Sequence, residues 1–260
     1  MQRDPKLNKE WNLKWVISFL VIILFFGCTS HKDMYYLLNK QTNDIEKYPK
    51  PAVDYNIIAI DLFDTSKQEI SELKSKGLEV ICYFSAGSYE NWRPDKNNFS
   101  RRVLGKKLGA WPGERWLDIK NESVFKIMKK RIDIAAKKGC DGVDFDNVDG
   151  YSNDTGFKLT KEDSEKYLKD LSEYAHSKGL KAVLKNALSI IDKVEPYFDY
   201  AVNESCHIYH ECDYYKPFLK HKKHVFNIEY KPFKRKIKSK YFHSYLADRN
   251  LAGKFYKKVE

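Results

Sequence analysis

Short apolar runs typical of β-strands alternate with stretches of helical period along most of this chain of 260 residues. Strands are predicted at 35–38, 57–61, 80–84, 142–146, 182–185, 200–204, 225–229 and 242–246. Helices are predicted at 67–76, 122–138, 161–178 and, as a shorter piece, 189–194. Because parallel strands need helical crossovers, eight strands connected in this way predict an α/β fold, a single (β/α)8 TIM-type barrel over 35–260.

Two segments leave the strand count open. Residues 116–119 also read as a strand, and residues 35–38 belong either to the barrel or to an outlying position. A doubly wound open sheet is the alternative architecture, although no glycine-rich phosphate loop supports it. The helix ends are better defined. Gly77, Gly139 and Gly179 each follow a lysine just before a strand, where glycine favours the left-handed backbone that ends a helix.

Residues 15–27 form an uncharged apolar run that follows several basic residues. The run is shorter than the roughly 20 residues that a membrane-spanning helix needs, and its layout is that of a signal peptide. It ends in Phe-Phe-Gly-Cys, which resembles a bacterial lipobox. We therefore expect a lipoprotein-type signal peptide over 1–27, cleavage before Cys28, lipidation of Cys28 and a tether over 28–34. An uncleaved anchor helix is the alternative, and both readings make the chain an exported protein anchored to a membrane.

The formal net charge of +11 is concentrated at the two ends of the chain. Residues 216–260 carry 14 Lys or Arg against three acids, residues 1–27 have a net charge of +2, and residues 28–215 have a net charge of −2. A nearly neutral body argues against nucleic acid as a partner. The basic segment 231–260 is expected to be either solvated surface or a contact with the anionic membrane surface beside the lipid anchor.

Four cysteines remain once Cys28 is assigned to the lipid. An even number in an exported protein permits disulfides, and Cys206 and Cys212 are the expected pair because they are close in sequence. Cys82 and Cys140 lie in or beside apolar runs, where they can be buried thiols.

Acidic residues close several of the predicted strands. Asp61, Glu204 and Glu229 each end one, and Asp144 and Asp146 end another. The carboxyl ends of barrel strands form the active-site face, and the period of two along a strand places Asp144 and Asp146 on one side. Glycoside hydrolysis needs two carboxyl groups in one pocket, one as acid and the other as nucleophile or base. Aromatic residues that offer flat faces to sugar rings are Tyr83, Trp92, Trp111, Trp116 and Tyr151.

Two other interpretations of these residues are open. Any single strand-end acid can instead pair with a basic residue or cap a helix. A divalent-metal hydrolase can use the same acids, but no set of strand-end histidines supports it, and the Cys and His spacing in 206–212 matches no common zinc pattern.

Seven segments resemble glycoside hydrolase family 114, the endo-α-1,4-polygalactosaminidases. They are AIDLFDTS (59–66), VICYFSAGSYENWRPD (80–95), WPGERWLDI (111–119), GCDGVDFDNVDGY (139–151), LKNAL (184–188), AVNESCHIYHEC (201–212) and VFNIEY (225–230). The resemblance implies a (β/α)8 barrel and a glycosidase that hydrolyses polymers containing α-1,4-linked galactosamine or N-acetylgalactosamine. It implies no metal or organic cofactor.

Residue by residue, the resemblance implies Asp146 as nucleophile, with Asp144 in reserve, and Glu204 as acid/base in a retaining mechanism. Phe145 stands where family members often have Pro, and Ser205 where they commonly have Gln. Candidates for sugar contacts or support of the two acids are Asp61, Tyr83, Arg115, Asp118, Asn147, Asp149, Lys185 and Asn186.

The expected protein is a monomer whose partners are a galactosamine-containing polysaccharide and, through the lipid anchor, a membrane. One alternative is a surface lipoprotein that binds polysaccharide without cleaving it. Another is a tether that binds nucleic acid or an anionic envelope polymer through its basic C-terminal segment.

Overall fold

Twelve strands and six α-helices occur within residues 32–109, 111–234 and 237–259, which a computed structural model describes. The strands are β1 (Met34–Leu37), β2 (Ile57–Asp61), β3 (Glu79–Ser85), β4 (Ser88–Glu90), β5 (Leu104–Lys107), β6 (Glu114–Leu117), β7 (Gly142–Asp146), β8 (Lys181–Lys185), β9 (Tyr200–Glu204), β10 (His224–Glu229), β11 (Phe242–Ala247) and β12 (Tyr256–Lys258). The helices are α1 (Lys67–Ser75), α2 (Glu122–Lys138), α3 (Lys161–Ser177), α4 (Ile191–Val194), α5 (Cys206–Tyr209) and α6 (Lys216–Lys220).

Nine of these strands form the main sheet, in the order β1-β2-β3-β7-β8-β9-β10-β11-β12. The first eight are parallel to their neighbours, and they correspond to the eight strands predicted from the sequence. Their residues are buried almost throughout, as expected of parallel strands covered on both faces. Residues 35–38 therefore belong to the barrel and not to an outlying position.

The two ends of the sheet meet through β12, a ninth strand that the sequence reading missed. It pairs antiparallel with β11, and Lys257 also forms a bridge with Ala52. The hydroxyl of Tyr256 donates to the carbonyl of Met34 over 2.8 Å, and the N–H of Met34 donates to the hydroxyl of Tyr245 over 3.1 Å. The result is a nearly closed barrel of the TIM type.

The helical layer is less regular than eight repeated β/α units. Only α1, α2 and α3 are longer than five residues, and the described part of 230–241 contains no helix. The predicted helix ends are confirmed, because Gly77, Gly139 and Gly179 all have positive φ. Among the described helices, none combines the length and apolar character that crossing a membrane requires.

A separate antiparallel sheet of β4, β6 and β5 lies in the long connection between β3 and β7. The strand that the sequence predicted at 116–119 is found here as β6, at Glu114–Leu117. This small sheet is not part of the barrel, and it brings the acidic residues Glu90 and Glu114 to the carboxyl ends of the barrel strands.

Two disulfides cross-link the described chain. Cys206 and Cys212 are bonded, as predicted, and Cys82 and Cys140 also form a disulfide where the sequence reading allowed buried thiols. One cluster of Cys, His and acidic residues in the described chain is compact enough to hold a metal, and it consists of Cys206, His207 and Cys212. The two sulfurs are bonded to each other, so neither is a free thiolate. The predicted signal peptide, the lipidation of Cys28 and the start of the tether lie outside the described residues.

Candidate active site

The carboxyl ends of the parallel strands surround a cavity of about 400 Å³, the active-site cavity. Parallel strands of a barrel all end at the same face, so polar residues at their last positions converge there. Eight residues predicted from the sequence line this cavity, and they are Asp61, Tyr83, Asp146, Asn147, Asp149, Lys185, Asn186 and Glu204.

Lys185, the last residue of β8, lies between two of the carboxylates. Only 2% of it is exposed, and its Nζ lies 3.5 Å from Oδ1 of Asp146 and 3.1 Å from Oε2 of Glu204. These two oxygens are therefore no farther apart than the sum of the two distances, about 6.6 Å. Burial alone would lower the pKa of Lys185, but the carboxylates of Asp146 and Glu204 outweigh burial and raise it. The ammonium group stays charged and compensates both carboxylates.

Two tyrosine hydroxyls complete the contacts of these carboxylates. Tyr83 donates to Oδ2 of Asp146 over 2.8 Å, and Tyr230, just after β10, donates to Oε1 of Glu204. Burial and the adjacent carboxylates raise the pKa of both phenols, so both remain protonated donors. Burial would also raise the pKa of Glu204, but Lys185 and the Tyr230 hydroxyl outweigh burial and lower it. The free cavity therefore favours an ionised Glu204.

Asp144 precedes Asp146 on the same side of β7 but does not line the cavity. It is fully buried, and the hydroxyl of Tyr36 donates to its Oδ2 over 2.5 Å. Burial raises the pKa of Asp144 to about 7, against the opposing effects of Lys185 and Tyr36. Of the two aspartates at the end of β7, Asp146 is the one that faces the cavity.

The backbone after β3 positions the end of β7. The carbonyl oxygen of Asp146 accepts hydrogen bonds from the N–H groups of Ala86 over 2.9 Å and Gly87 over 3.1 Å. A Cβ atom at Gly87 would lie 1.7 Å from the carbonyl oxygen of Asn147. Only glycine permits this close approach, so Gly87 is required for the position of Asp146.

Residues with left-handed backbone follow three neighbouring strands. Asn147, Asn186 and Ser205 come directly after β7, β8 and β9 and have φ of 58°, 51° and 68°. Asparagine tolerates this region because its short polar side chain can hydrogen-bond locally. Oδ1 of Asn186 accepts from the N–H of Glu204 over 3.0 Å, and Nδ2 of Asn147 donates to Oγ of Ser85 over 2.9 Å. Both asparagines thus hold adjacent strand ends together at the cavity.

One wall of the cavity carries charged residues that sequence reasoning missed, namely Glu90, Arg93 and Glu114. Arg93 is buried, donates to both carboxylate oxygens of Asp61 over 2.9 Å and 2.6 Å, and pairs with Glu90 at 2.8 Å. Glu114 accepts a hydrogen bond from Oγ of Ser88 over 2.8 Å. Burial raises the pKa of Glu114 to about 7, and repulsion from Glu90 adds to the effect. Among the residues that line the cavity here, three are acids and one is a cation, and Glu90 also lies 3.7 Å from the fully buried Arg131.

Arg115 and Asp118, predicted as supporting residues, do not line the cavity. Arg115 is exposed, and its Nε donates to the carbonyl of Gly105 in β5 over 2.8 Å. Asp118 lies in the turn that follows β6. The alternation of side chains along β6 explains the difference, because Glu114 faces the cavity and the next residue therefore faces away.

Two exposed tryptophans stand at the mouth of the cavity. Trp92 is 48% exposed and Trp111 is 54% exposed, and both line it. Large aromatic faces left open to solvent beside a polar cavity are suited to stacking against the apolar faces of sugar rings.

Comparison with known proteins places this site in a family. The sequence model of glycoside-hydrolase family GH114 matches residues 30–258. A search of the curated proteins finds no match. Among solved structures, Ega3 from Aspergillus fumigatus, determined in complex with galactosamine, is 39% identical, with a TM-score of 0.79 over 88% of this chain and 95% of that chain.

A second solved structure shares the fold at low identity. The glycoside hydrolase domain of PelA from Pseudomonas aeruginosa is 14% identical, with a TM-score of 0.63 over 88% of this chain and 98% of that chain. The family match covers the whole barrel and all the residues of the cavity described above. The chain therefore belongs to glycoside-hydrolase family GH114, as its motifs predicted, and is a glycosidase.

Proposed function

We propose that this glycosidase hydrolyses α-1,4-linked polysaccharide that contains galactosamine, using Asp146 and Glu204. The observation that carries the proposal is the placement of these two carboxylates on either side of Lys185 in the active-site cavity. The likeness to Ega3, which was crystallised with galactosamine, supports the choice of sugar.

The chemical step assigned to Asp146 is attack on the anomeric carbon. The hydroxyl of Tyr83 donates to its Oδ2 over 2.8 Å and Nζ of Lys185 lies 3.5 Å from its Oδ1, and these contacts hold the carboxyl group in place for the attack. In retaining glycosidases the two carboxyl groups lie roughly 5–5.5 Å apart, and in inverting ones ~6.5–9.5 Å. The upper limit of about 6.6 Å between the oxygens that face Lys185 favours retention.

Glu204 is assigned as the acid/base, so it must carry a proton when the glycosidic bond breaks. Its pKa is lowered in the free cavity by Lys185 and Tyr230. Substrate that fills the cavity displaces water from the carboxyl group, and desolvation favours the neutral acid. The proton then passes to the glycosidic oxygen, and the resulting carboxylate activates the water that releases the sugar from Asp146.

The acidic lining of the cavity supports an amino sugar as substrate. Seven carboxyl groups line it against three cations, Arg93, Lys185 and Arg249, so a protonated amine of galactosamine would meet a net attraction. We also propose that the chain acts outside the cytoplasm, anchored through lipid on Cys28. Replacing Cys28 with Ala should then release the protein from the membrane fraction.

The test is release of reducing ends from an α-1,4-galactosamine polymer by the purified protein. Glu204→Gln and Asp146→Asn should each lower kcat by about 1000-fold or more, because each removes a group that acts in the transition state. Asp118→Asn is the matched control, since it removes a carboxyl group outside the cavity and should leave the rate unchanged. An active Glu204→Gln enzyme would refute the assignment of the acid.

A further inference from the structure

A second cavity of about 340 Å³, the side cavity, adjoins the active-site cavity. The two share Trp111, Glu204, Tyr230 and Arg249. The side cavity adds Ser205, Ile208, Tyr209 and Lys231, and Asp146 is not among its lining residues. It therefore continues the cleft on the side of the acid/base residue that is remote from the nucleophile.

This position corresponds to the leaving-group side of the cleft. The sugar that is attacked must lie over Asp146, in the active-site cavity. The acid/base residue protonates the oxygen that joins this sugar to the next one, so it stands between the two sugars. The sugar beyond Glu204, which leaves with a new non-reducing end, then occupies the side cavity.

The two cavities carry opposite charge. Six carboxyl groups besides Glu204 line the active-site cavity, namely Asp61, Asp64, Glu90, Glu114, Asp146 and Asp149, against the three cations Arg93, Lys185 and Arg249, the last of which lines both cavities. The side cavity has Glu204 as its one lining carboxylate among the described residues, and the charge of Glu204 is already paired with Lys185. Lys231 and Arg249 are exposed there, and neither forms an ion pair within the described chain.

We propose that the side cavity selects an N-acetylated galactosamine, so that the enzyme cleaves preferentially between a free-amine unit and an N-acetylated unit on its reducing-end side. This inference rests on the proposed function and specifies its substrate. A protonated amine in the side cavity would be repelled by Lys231 and Arg249, whereas an acetamido group is neutral. The acetyl methyl group can pack against Ile208 and Tyr209, which are 38% and 66% exposed.

The experiment uses α-1,4-galactosamine oligomers that have been partly N-acetylated at random, digested with the full-length protein. Mass spectrometry of the products identifies the sugar at each new end. New non-reducing ends should be N-acetylated about five-fold more often than random cleavage gives, which is the size of an exposed like-charge interaction. Acetylation of those ends at the random frequency would overturn the inference but leave the proposed function intact. A protein that cleaves none of the oligomers would overturn both.

Charge variants test the cause of the preference. Lys231→Gln combined with Arg249→Gln should bring the acetylation of new non-reducing ends close to the random frequency. Lys231→Glu combined with Arg249→Glu should reverse the preference. The matched control is Lys193→Gln with Lys220→Gln, which removes two exposed lysines outside both cavities and should keep the five-fold preference. Full retention of the preference in the Lys231/Arg249 variants would overturn the assignment of these cations.

Discussion

The ionisation of Glu204 depends on two neighbours that both favour its charged form. Lys185 contributes a buried charge, and Tyr230 contributes a hydroxyl hydrogen bond. Lys185 cannot be removed without leaving Asp144, Asp146 and Glu204 uncompensated in one region. The hydroxyl of Tyr230 can be removed alone, because phenylalanine keeps the ring and lacks only the hydrogen-bond donor. It is therefore the better probe of the acid/base residue.

We predict that Tyr230→Phe moves the alkaline limb of the kcat/KM profile to higher pH by roughly one pH unit, the size of a hydrogen bond to a charged group. The sign follows from the contact: loss of a donor to the carboxylate raises the pKa of Glu204, so the acid keeps its proton to higher pH. Tyr214→Phe, at an exposed tyrosine outside the cavity, should leave the profile unchanged. An alkaline limb that stays in place or moves to lower pH would contradict the role of Glu204.

Sequence reasoning found the cavity residues that lie in or just after the barrel strands and missed the charged residues Glu90, Arg93 and Glu114 in the connection between β3 and β7. Asp61, Asp146, Lys185 and Glu204 are the final residues of buried strands, where position alone indicates the active-site face. Glu114 was missed because it lies in β6, whose orientation depends on contacts between residues far apart in sequence. No local pattern relates β6 to the barrel, so only the three-dimensional structure places Glu114 at the cavity.

At the scale of elements, the two disulfides close loops of very different length. Cys82–Cys140 spans 58 residues and joins β3 to the start of β7, whereas Cys206–Cys212 spans 6 residues directly after Glu204. The entropy lost by the unfolded chain grows with loop length. The long loop should therefore contribute mainly to stability, and the short one mainly to the position of the acid/base residue.

We predict that replacing Cys82 and Cys140 together with Ala lowers the free energy of unfolding by about 4 kcal/mol, and that the same change at Cys206 and Cys212 lowers it by about 2 kcal/mol. Only the second pair should reduce kcat at a temperature where both variants are folded, by roughly ten-fold, because a small displacement of Glu204 misaligns the acid. Denaturant unfolding and turnover of the same samples measure both quantities. Equal loss of stability in the two variants would contradict the account by loop length.

The eight parallel strands of the barrel were predicted to within one residue at every end, since an apolar run bounded by turn residues is a local signal. β12 was not predicted, because three residues with two lysines carry no such signal. Its strand form depends on pairing with β11 and on the fit of Tyr256 against β1. The same is true of β4 and β5, which are strands only because β6 lies between them.

At the scale of the whole molecule, three cations of the C-terminal segment have defined places in the fold. Lys231 and Arg249 face the cleft, and Lys258 reaches the opposite end of the barrel, where it binds Asp33 at 2.8 Å. The global charge is thus a poor guide to partners in this chain. What matters is which cations the fold places beside the acids at each end of the barrel.

The last prediction concerns the seam of the barrel, which is the contact between β1 and β12. One buried carboxylate stabilises it. Asp33 accepts a hydrogen bond from the hydroxyl of Tyr245 on β11 over 2.7 Å and pairs with Lys258 on β12. Burial alone would raise the pKa of Asp33, but its contacts with His243 and Lys258 outweigh burial and lower it well below its usual range. A carboxyl group with a lowered folded-state pKa adds stability above its unfolded pKa of about 3.9, and this stability is lost as the pH falls further.

Asp33→Asn should therefore lower the free energy of unfolding at pH 7 by about 3 kcal/mol, the cost of breaking a buried ion pair. Below pH ~4 the unfolded wild-type chain takes up the proton more readily than the folded one, so the wild type loses its advantage and the two proteins approach each other in stability. Urea unfolding at pH 7 and at about pH 2.5 measures the difference, with Asp192→Asn on the exposed face of α4 as a control that should match the wild type at both. A stability difference that stays the same between the two pH values would show that the charge of Asp33 does not hold the seam.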